Sequence, residues 1–205
     1  MQLFKKKSAK KDFDDKNLSI GQQALIFFWE IFKVVVISLA IIIPVRYFLI
    51  KPFYVKGASM EPNFYDHEYL IINEIGYRFD EPQRGDTVVF KFPFDTTQYF
   101  IKRVIGLPGE IIKISEGKIY IFNEAHPEGE MLEEDYLLPA MKTLGDLEVN
   151  LAEDEYFLMG DNRIASLDSR SFGPVKRQYI VGKTLLRGWP INRLGLVINE
   201  LEYNL

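Results

Sequence analysis

The sequence predicts a mainly β domain of twisted antiparallel sheets, folded partly into a barrel and preceded by one N-terminal transmembrane helix. Two observations carry this. An apolar run near the N-terminus is long enough to cross a bilayer, and after it come short Ile/Val/Phe/Tyr-rich segments punctuated by Gly, Pro, Asn and Asp.

The helix is expected over residues 25–50. Residues 31–50 read IFKVVVISLAIIIPVRYFLI, with an uncharged apolar centre from 34 to 45, and about 20 such residues cross ~30 Å of hydrocarbon. Lys33 and Arg46 lie near its ends, where long cationic side chains reach the headgroups. Phe27, Phe28 and Trp29 flank one end and Tyr47, Phe48, Phe53 and Tyr54 the other, as interfacial aromatic belts do. Residues 1–24 carry six Lys against three Asp and read as a solvated basic tail. By the positive-inside rule the tail is cytoplasmic and residues 51–205 form an extracytoplasmic domain. A cleavable signal peptide fits less well, because the run is long for an h-region. A buried core helix would be favoured by Pro44 and the two charges, but membrane helices tolerate proline.

Strands are expected at residues 68–72, 86–92, 98–104, 111–115 and 118–122, then at 154–159 and 179–186. Residues 111–122 read as a hairpin turning at Ser115, Glu116 and Gly117. Residues 123–150 are acidic and irregular, an insertion with a helix expected around 132–144.

Residues 51–205 carry 17 Lys and Arg against 25 Asp and Glu, a net of −8. No nucleic-acid partner is expected of so acidic a domain. The absence of cysteine excludes disulfides, thiolate metal sites and a cysteine nucleophile. Two histidines, His67 and His126, leave a Ser-His-Asp triad or a multi-His metal site almost nothing to draw on. Neither metal nor cofactor is expected.

Hydrolytic chemistry in such a chain needs a base other than imidazole. Residues 55–64, VKGASMEPNF, set Ser59 among small residues immediately after the expected membrane exit. A serine hydroxyl is a poor nucleophile until a base takes its proton, and a neutral lysine can serve if burial lowers its pKa. Lys102 sits in QYFIKRVIGLPGE, where strand alternation places it on the face of Phe100 and Val104 and turns Arg103 the other way. A serine after Gly-Ala is more often a turn residue and a strand lysine more often solvated, so the residues alone leave both readings open. A third cluster, MGDNRIASLDSRSFGPV at 159–175, offers carboxylates, guanidiniums and hydroxyls in one short stretch.

Taken in order, these segments resemble the motif series of the signal peptidase I family of Ser/Lys-dyad proteases. The carriers are GASMEP (57–62), RGDTVVF (84–90), KRVIGLPGE (102–110), MGDNRIASLDSRSFGPV (159–175) and GKTLLRGWPINRLG (182–195). The resemblance implies a membrane-anchored endopeptidase that removes signal peptides from exported preproteins. It implies Ser59 as acylated nucleophile, Lys102 as general base and Ser166 as the hydroxyl that orients the lysine amine. It further implies Met60 beside the substrate pocket, and Arg103, Asp161, Asp168 and Arg170 as a supporting polar network. Two positions depart from the family pattern: Gly57 stands where some members carry an oxyanion-hole serine, and Asn63 where threonine is common. The Ser59 backbone N–H is therefore expected to carry more of the oxyanion stabilisation. The substrate is expected to add as a strand beside Val55 and the edge at Tyr99 and Ile101. The expected partners are preprotein signal peptides and the lipid bilayer, while the oligomeric state is open. The other reading is a catalytically idle relative that binds or assembles surface proteins.

Overall fold

The computed structural model describes residues 19–44, 51–139, 141–197 and 203. The chain divides into two units, Met1–Pro44 and Val45–Leu205. The first contains one helix, α1 (Ile20–Pro44), whose 25 residues extend about 37 Å. Its start is set by a capping box: the Ser19 N–H donates to Gln22 Oε1 (3.0 Å) and the Gln22 N–H to Ser19 Oγ (3.4 Å). The helix therefore begins at Ile20 and not at 25, because polar capping chemistry fixes the end that hydropathy cannot. Its apolar window buries nothing, and a helix apolar on every side is the form that suits lipid. The expected helix end, with Arg46, Tyr47 and Phe48, and residues 1–18 of the basic tail lie outside the described residues.

The second unit is built from β1 (Lys51–Tyr54), β2 (Tyr69–Asn73), β3 (Thr87–Phe92), β4 (Asp95–Gly106), β5 (Ile111–Ser115), β6 (Lys118–Phe122), β7 (Glu130–Met131), β8 (Leu147–Asn150), β9 (Glu155–Met159), the short helix α2 (Ser169–Phe172), β10 (Val175–Lys176), β11 (Ile180–Trp189) and β12 (Gly195–Leu196). One antiparallel sheet has the order β1-β2-β11-β3-β4-β9-β10, with β12 also on β11. The other has the order β7-β6-β5-β8 and is inserted between β4 and β9, which are neighbours in the first. Neither sheet closes into a barrel.

Period-two alternation sorts the apolar side chains into three cores. Val88 and Phe90 of β3 face one with Val104 and Leu158, while Val89 faces another with Val55, Met60, Phe64, Leu70 and Ile72. Ile112, Ile114, Ile119 and Ile121 of the inserted sheet pack against Ile105, Phe157 and Met159. The β5–β6 hairpin turns at Glu116 (φ 54°) and Gly117 (φ 80°), where two consecutive positive φ values match the strand twist.

The expected helix around 132–144 does not form among the described residues. The Leu132 N–H donates to Ile119 O (2.8 Å) and the Thr143 N–H to Gly117 O (3.3 Å), so this segment directs backbone bonds outward to the hairpin. Glu130–Met131 and Leu147–Asn150 become the outer strands of the inserted sheet.

Gly182 fixes how closely β2 and β11 can approach. A Cβ there would meet Asn73 O at 2.6 Å and Ile72 Cγ2 at 2.7 Å. Gly182→Ala should destabilise the protein by about 1–3 kcal/mol, read as a fall of roughly 2–8 °C in the thermal midpoint. An unchanged midpoint would show that the two strands separate freely.

Candidate active site

The connection from β1 to β2 carries Ser59. The Val55 N–H donates to Glu68 O (2.9 Å) and the His67 N–H to Val55 O (3.0 Å), which extends the ladder and makes residues 57–66 a closed loop. Gly57 takes φ 88°, a left-handed conformation open to glycine, and its N–H donates to Asp66 Oδ1 at 2.9 Å. Met60 points inward and is 0% exposed, packed with Val55, Phe64 and Leu70. Its apolar side chain anchors the loop from below.

Far along the chain, β4 brings Lys102 under this loop. Residues 96–99 are exposed, whereas the strand beyond Ile101 enters the core. Lys102 lies opposite Val88 of β3, is only 3% exposed, and has its Nζ 5.7 Å from the Phe100 ring centroid. Its amine donates to Ser59 Oγ at 2.7 Å and to Ile101 O at 2.8 Å. Burial lowers its pKa to about 8, against the opposing pull of the Asp168 and Asp161 charges. An amine that loses its proton near neutral pH and touches a hydroxyl can accept the hydroxyl's proton.

Both carboxylates are committed elsewhere. Asp161, fully buried, forms a two-pronged pair with Arg103 through Nε–Oδ1 (2.8 Å) and Nη2–Oδ2 (2.6 Å). Arg103 also donates to Gly85 O and lies 4.3 Å from the Tyr136 ring centroid. Asp168 accepts from Arg170 Nε and Nη2, each at 2.8 Å, and from the Gly160 N–H at 3.1 Å. Burial works to raise the Asp168 pKa, but the bonds and charge of Arg170, the Gly160 N–H and, weakly, the Ser166 hydroxyl outweigh it and hold the carboxyl below its ordinary range.

Ser166 lies close to Gly160 and Asp168. Its Oγ is buried and has no partner in good hydrogen-bonding geometry, while the Lys102 amine bonds Ser59 Oγ and Ile101 O. Gly160 explains the crowding, since a Cβ there would come within 2.2 Å of Ser166 Oγ and 2.4 Å of Ser59 O. Only glycine leaves room there for both Ser166 and the Ser59 carbonyl.

Three further residues complete the surroundings. Asn63 Nδ2 donates to Asp161 Oδ2 (2.8 Å) and Tyr136 O (3.2 Å), tying the serine loop to the buried ion pair. The Asn162 N–H donates to Ser59 O and its Nδ2 to Ala58 O, both at 3.1 Å. Arg163, among the largest fully buried side chains, donates to Glu134, Thr143 and Tyr136 of the inserted sheet's connections. No spacing in the sequence pairs Arg163 with Glu134. The Met-Gly-Asp-Asn-Arg run marked the region as polar without saying which side chain faced inward.

Ser59 and Lys102 open onto a cleft of about 550 Å³ that Val55, Tyr99 and Ile101 also line. Each wall offers unpaired strand backbone. Among the described residues β1 pairs with β2 alone, and β4 pairs with β9 only from Arg103 onward, which leaves the outer edge of its first half without a strand partner there.

Comparison with known proteins places the chain in a family. The family model described as signal peptidase, peptidase S26, matches residues 28–189. A probable signal peptidase I-2 of Synechocystis is 36% identical over 84% of this chain and 78% of its own length. A signal peptidase I of Bacillus amyloliquefaciens is 34% identical over 80% of this chain and 87% of its own. A crystal structure of a signal peptidase I from Enterococcus faecalis V583 is 32% identical, covers 51% of this chain and 97% of its own, and gives a TM-score of 0.43. On the family match and the identity to these relatives, the chain belongs to the signal peptidase family, peptidase S26, and is an enzyme of the signal peptidase I type.

Proposed function

We propose that this enzyme is anchored in the membrane by α1 and removes signal peptides from exported preproteins, with Ser59 as nucleophile and Lys102 as general base. The observation that carries the reading is the 2.7 Å contact between a buried amine of lowered pKa and a serine hydroxyl at the floor of a cleft. The positive tail faces the cytoplasm and the catalytic unit the opposite side.

An extended preprotein segment adds to the free edges beside Val55 and beside Tyr99 and Ile101, and main-chain bonds hold its scissile carbonyl over Ser59. The neutral Lys102 amine takes the proton from Ser59 Oγ as the oxygen bonds to that carbonyl carbon. The carbonyl oxygen gains the negative charge and is met by the Ser59 N–H. When the C–N bond breaks, the Lys102 ammonium gives its proton to the departing amine, leaving an acyl-enzyme. Lys102 then takes a proton from water, the water oxygen displaces Oγ from the carbonyl carbon, and Oγ recovers a proton from Lys102. Arg103 and Arg170 act at a distance from substrate by holding Asp161 and Asp168 away from the amine. The anchor keeps the cleft near the membrane face where signal-peptide helices end.

Ser59→Ala and Lys102→Met, each as the full chain in detergent, should lower preprotein cleavage by at least about 10³-fold. Near-normal activity in either variant would refute the dyad. The folded pKa of Lys102, about 8, lies below its ordinary 10.5. Between those values the folded state binds fewer protons than the unfolded, so stability rises with pH, and below them the folded chain bears the cost of charging a buried amine. Lys102→Met relieves that cost. It should therefore be inactive yet as stable as the wild type at pH 7 or more so, by up to about 3 kcal/mol.

The pH profile follows from the same shift. kcat/KM should climb about tenfold per pH unit on the acid side and level off above a midpoint near 8. A midpoint near that of imidazole would point to a different base.

A further inference from the structure

One side chain holds the peptide group that must stabilise the oxyanion. Gly57 offers no hydroxyl, and its N–H is bound to Asp66 Oδ1 at 2.9 Å. The Ser59 N–H donates to no acceptor among the described residues, which leaves it as the donor available to the cleft. Its direction is fixed by the Ala58 carbonyl, because in a trans peptide the N–H and C=O point opposite ways.

The Ala58 carbonyl has two partners. One is the Glu61 N–H of the local turn at 3.2 Å, and the other is Asn162 Nδ2 at 3.1 Å. Asn162 reaches it from a rigid base. Its own N–H donates to Ser59 O (3.1 Å) and its Oδ1 accepts from the Ala165 N–H (3.2 Å). That last bond also fixes the amide orientation, since a flipped Asn162 would set oxygen against Ala58 O and NH₂ against the Ala165 N–H. One residue thus grips the carbonyls on both sides of the Ser59 backbone nitrogen and α-carbon.

We propose that Asn162 is a positioning residue for the oxyanion hole: its side-chain amide holds and polarises the Ala58–Ser59 peptide so that the Ser59 N–H meets the developing negative charge. The inference rests on the Ser59/Lys102 reading and adds a residue to it. A hydrogen bond accepted by a peptide oxygen strengthens the donor at the other end of the same group. The backbone bond from Asn162 to Ser59 O maintains the fold of the loop, whereas the side-chain bond to Ala58 O tunes the donor. The two functions are separable by mutation.

The test uses Asn162→Ala in the full chain in detergent micelles, compared with Ser59→Ala and the wild type. Asn162→Ala retains the backbone bond and should lose about 10–100-fold in kcat, with KM within about twofold and the pH midpoint still near 8. Its thermal midpoint should stay close to that of the wild type. A peptide aldehyde, whose adduct with Ser59 carries the tetrahedral oxygen, should bind more weakly by the same factor as kcat falls, while the matching peptide alcohol should bind as before. A wild-type kcat in Asn162→Ala would overturn the proposal, as would a loss that shifts the pH midpoint, raises KM alone or weakens aldehyde and alcohol equally. If Ser59→Ala cleaves normally, the underlying dyad fails. If Ser59→Ala is inactive and Asn162→Ala is normal, only the role of Asn162 fails.

Discussion

The proposed chemistry depends on keeping an amine out of water while denying it a carboxylate partner. Lys102 satisfies the first condition through the apolar strand around it, and its pKa falls accordingly. The second is harder, because Asp161 and Asp168 are near enough to pull the pKa back up. Each is instead paired with its own arginine, Arg103 and Arg170. A free carboxylate in either place would form an ordinary ion pair with Lys102 and hold the proton on it. On the proposed reading the buried arginine pairs serve the chemistry by insulation. Buried ion pairs add little net stability on their own account, which makes a role in setting the charge around Lys102 the better physical reason for them.

That insulation couples the two sheets. Arg163, two residues beyond Asp161, reaches into the connections of the inserted sheet at Glu134 and Thr143, and Arg103 stacks on Tyr136 from the same connections. Asn63 closes the circuit by joining the serine loop to Asp161 and to Tyr136 O. The inserted sheet lies outside the cleft but braces the loop that holds Ser59. Close approach is the common requirement, and Gly160 meets it where Ser59 O and Ser166 come near its α-carbon.

Strands were legible because period-two alternation survives in the sequence: Ile112 with Ile114 and Ile119 with Ile121 fall inward while Lys113 stays out. The start of α1 was not, since a hydropathy reading passes over a Ser-x-x-Gln capping box. Residues 132–144 carry enough Leu and Glu to suggest a helix, but Leu132 and Thr143 give their backbone bonds to the hairpin, and tertiary partners override propensity. Ser59 and Lys102 were nameable as the proposed pair from the scarcity of histidine together with the motif resemblance. The inward turn of Met60, the unpartnered Ser166 hydroxyl and the grip of Asn162 on Ala58 depend on which way side chains face across a loop. No spacing encodes that.

The most direct test of the central claim is the titration of Lys102 itself. In the full chain with ¹³Cε-labelled lysine, the resonance absent from Lys102→Met should titrate with a midpoint near 8. A midpoint near the ordinary 10.5 would mean that the amine stays charged at working pH and would contradict its role as the base.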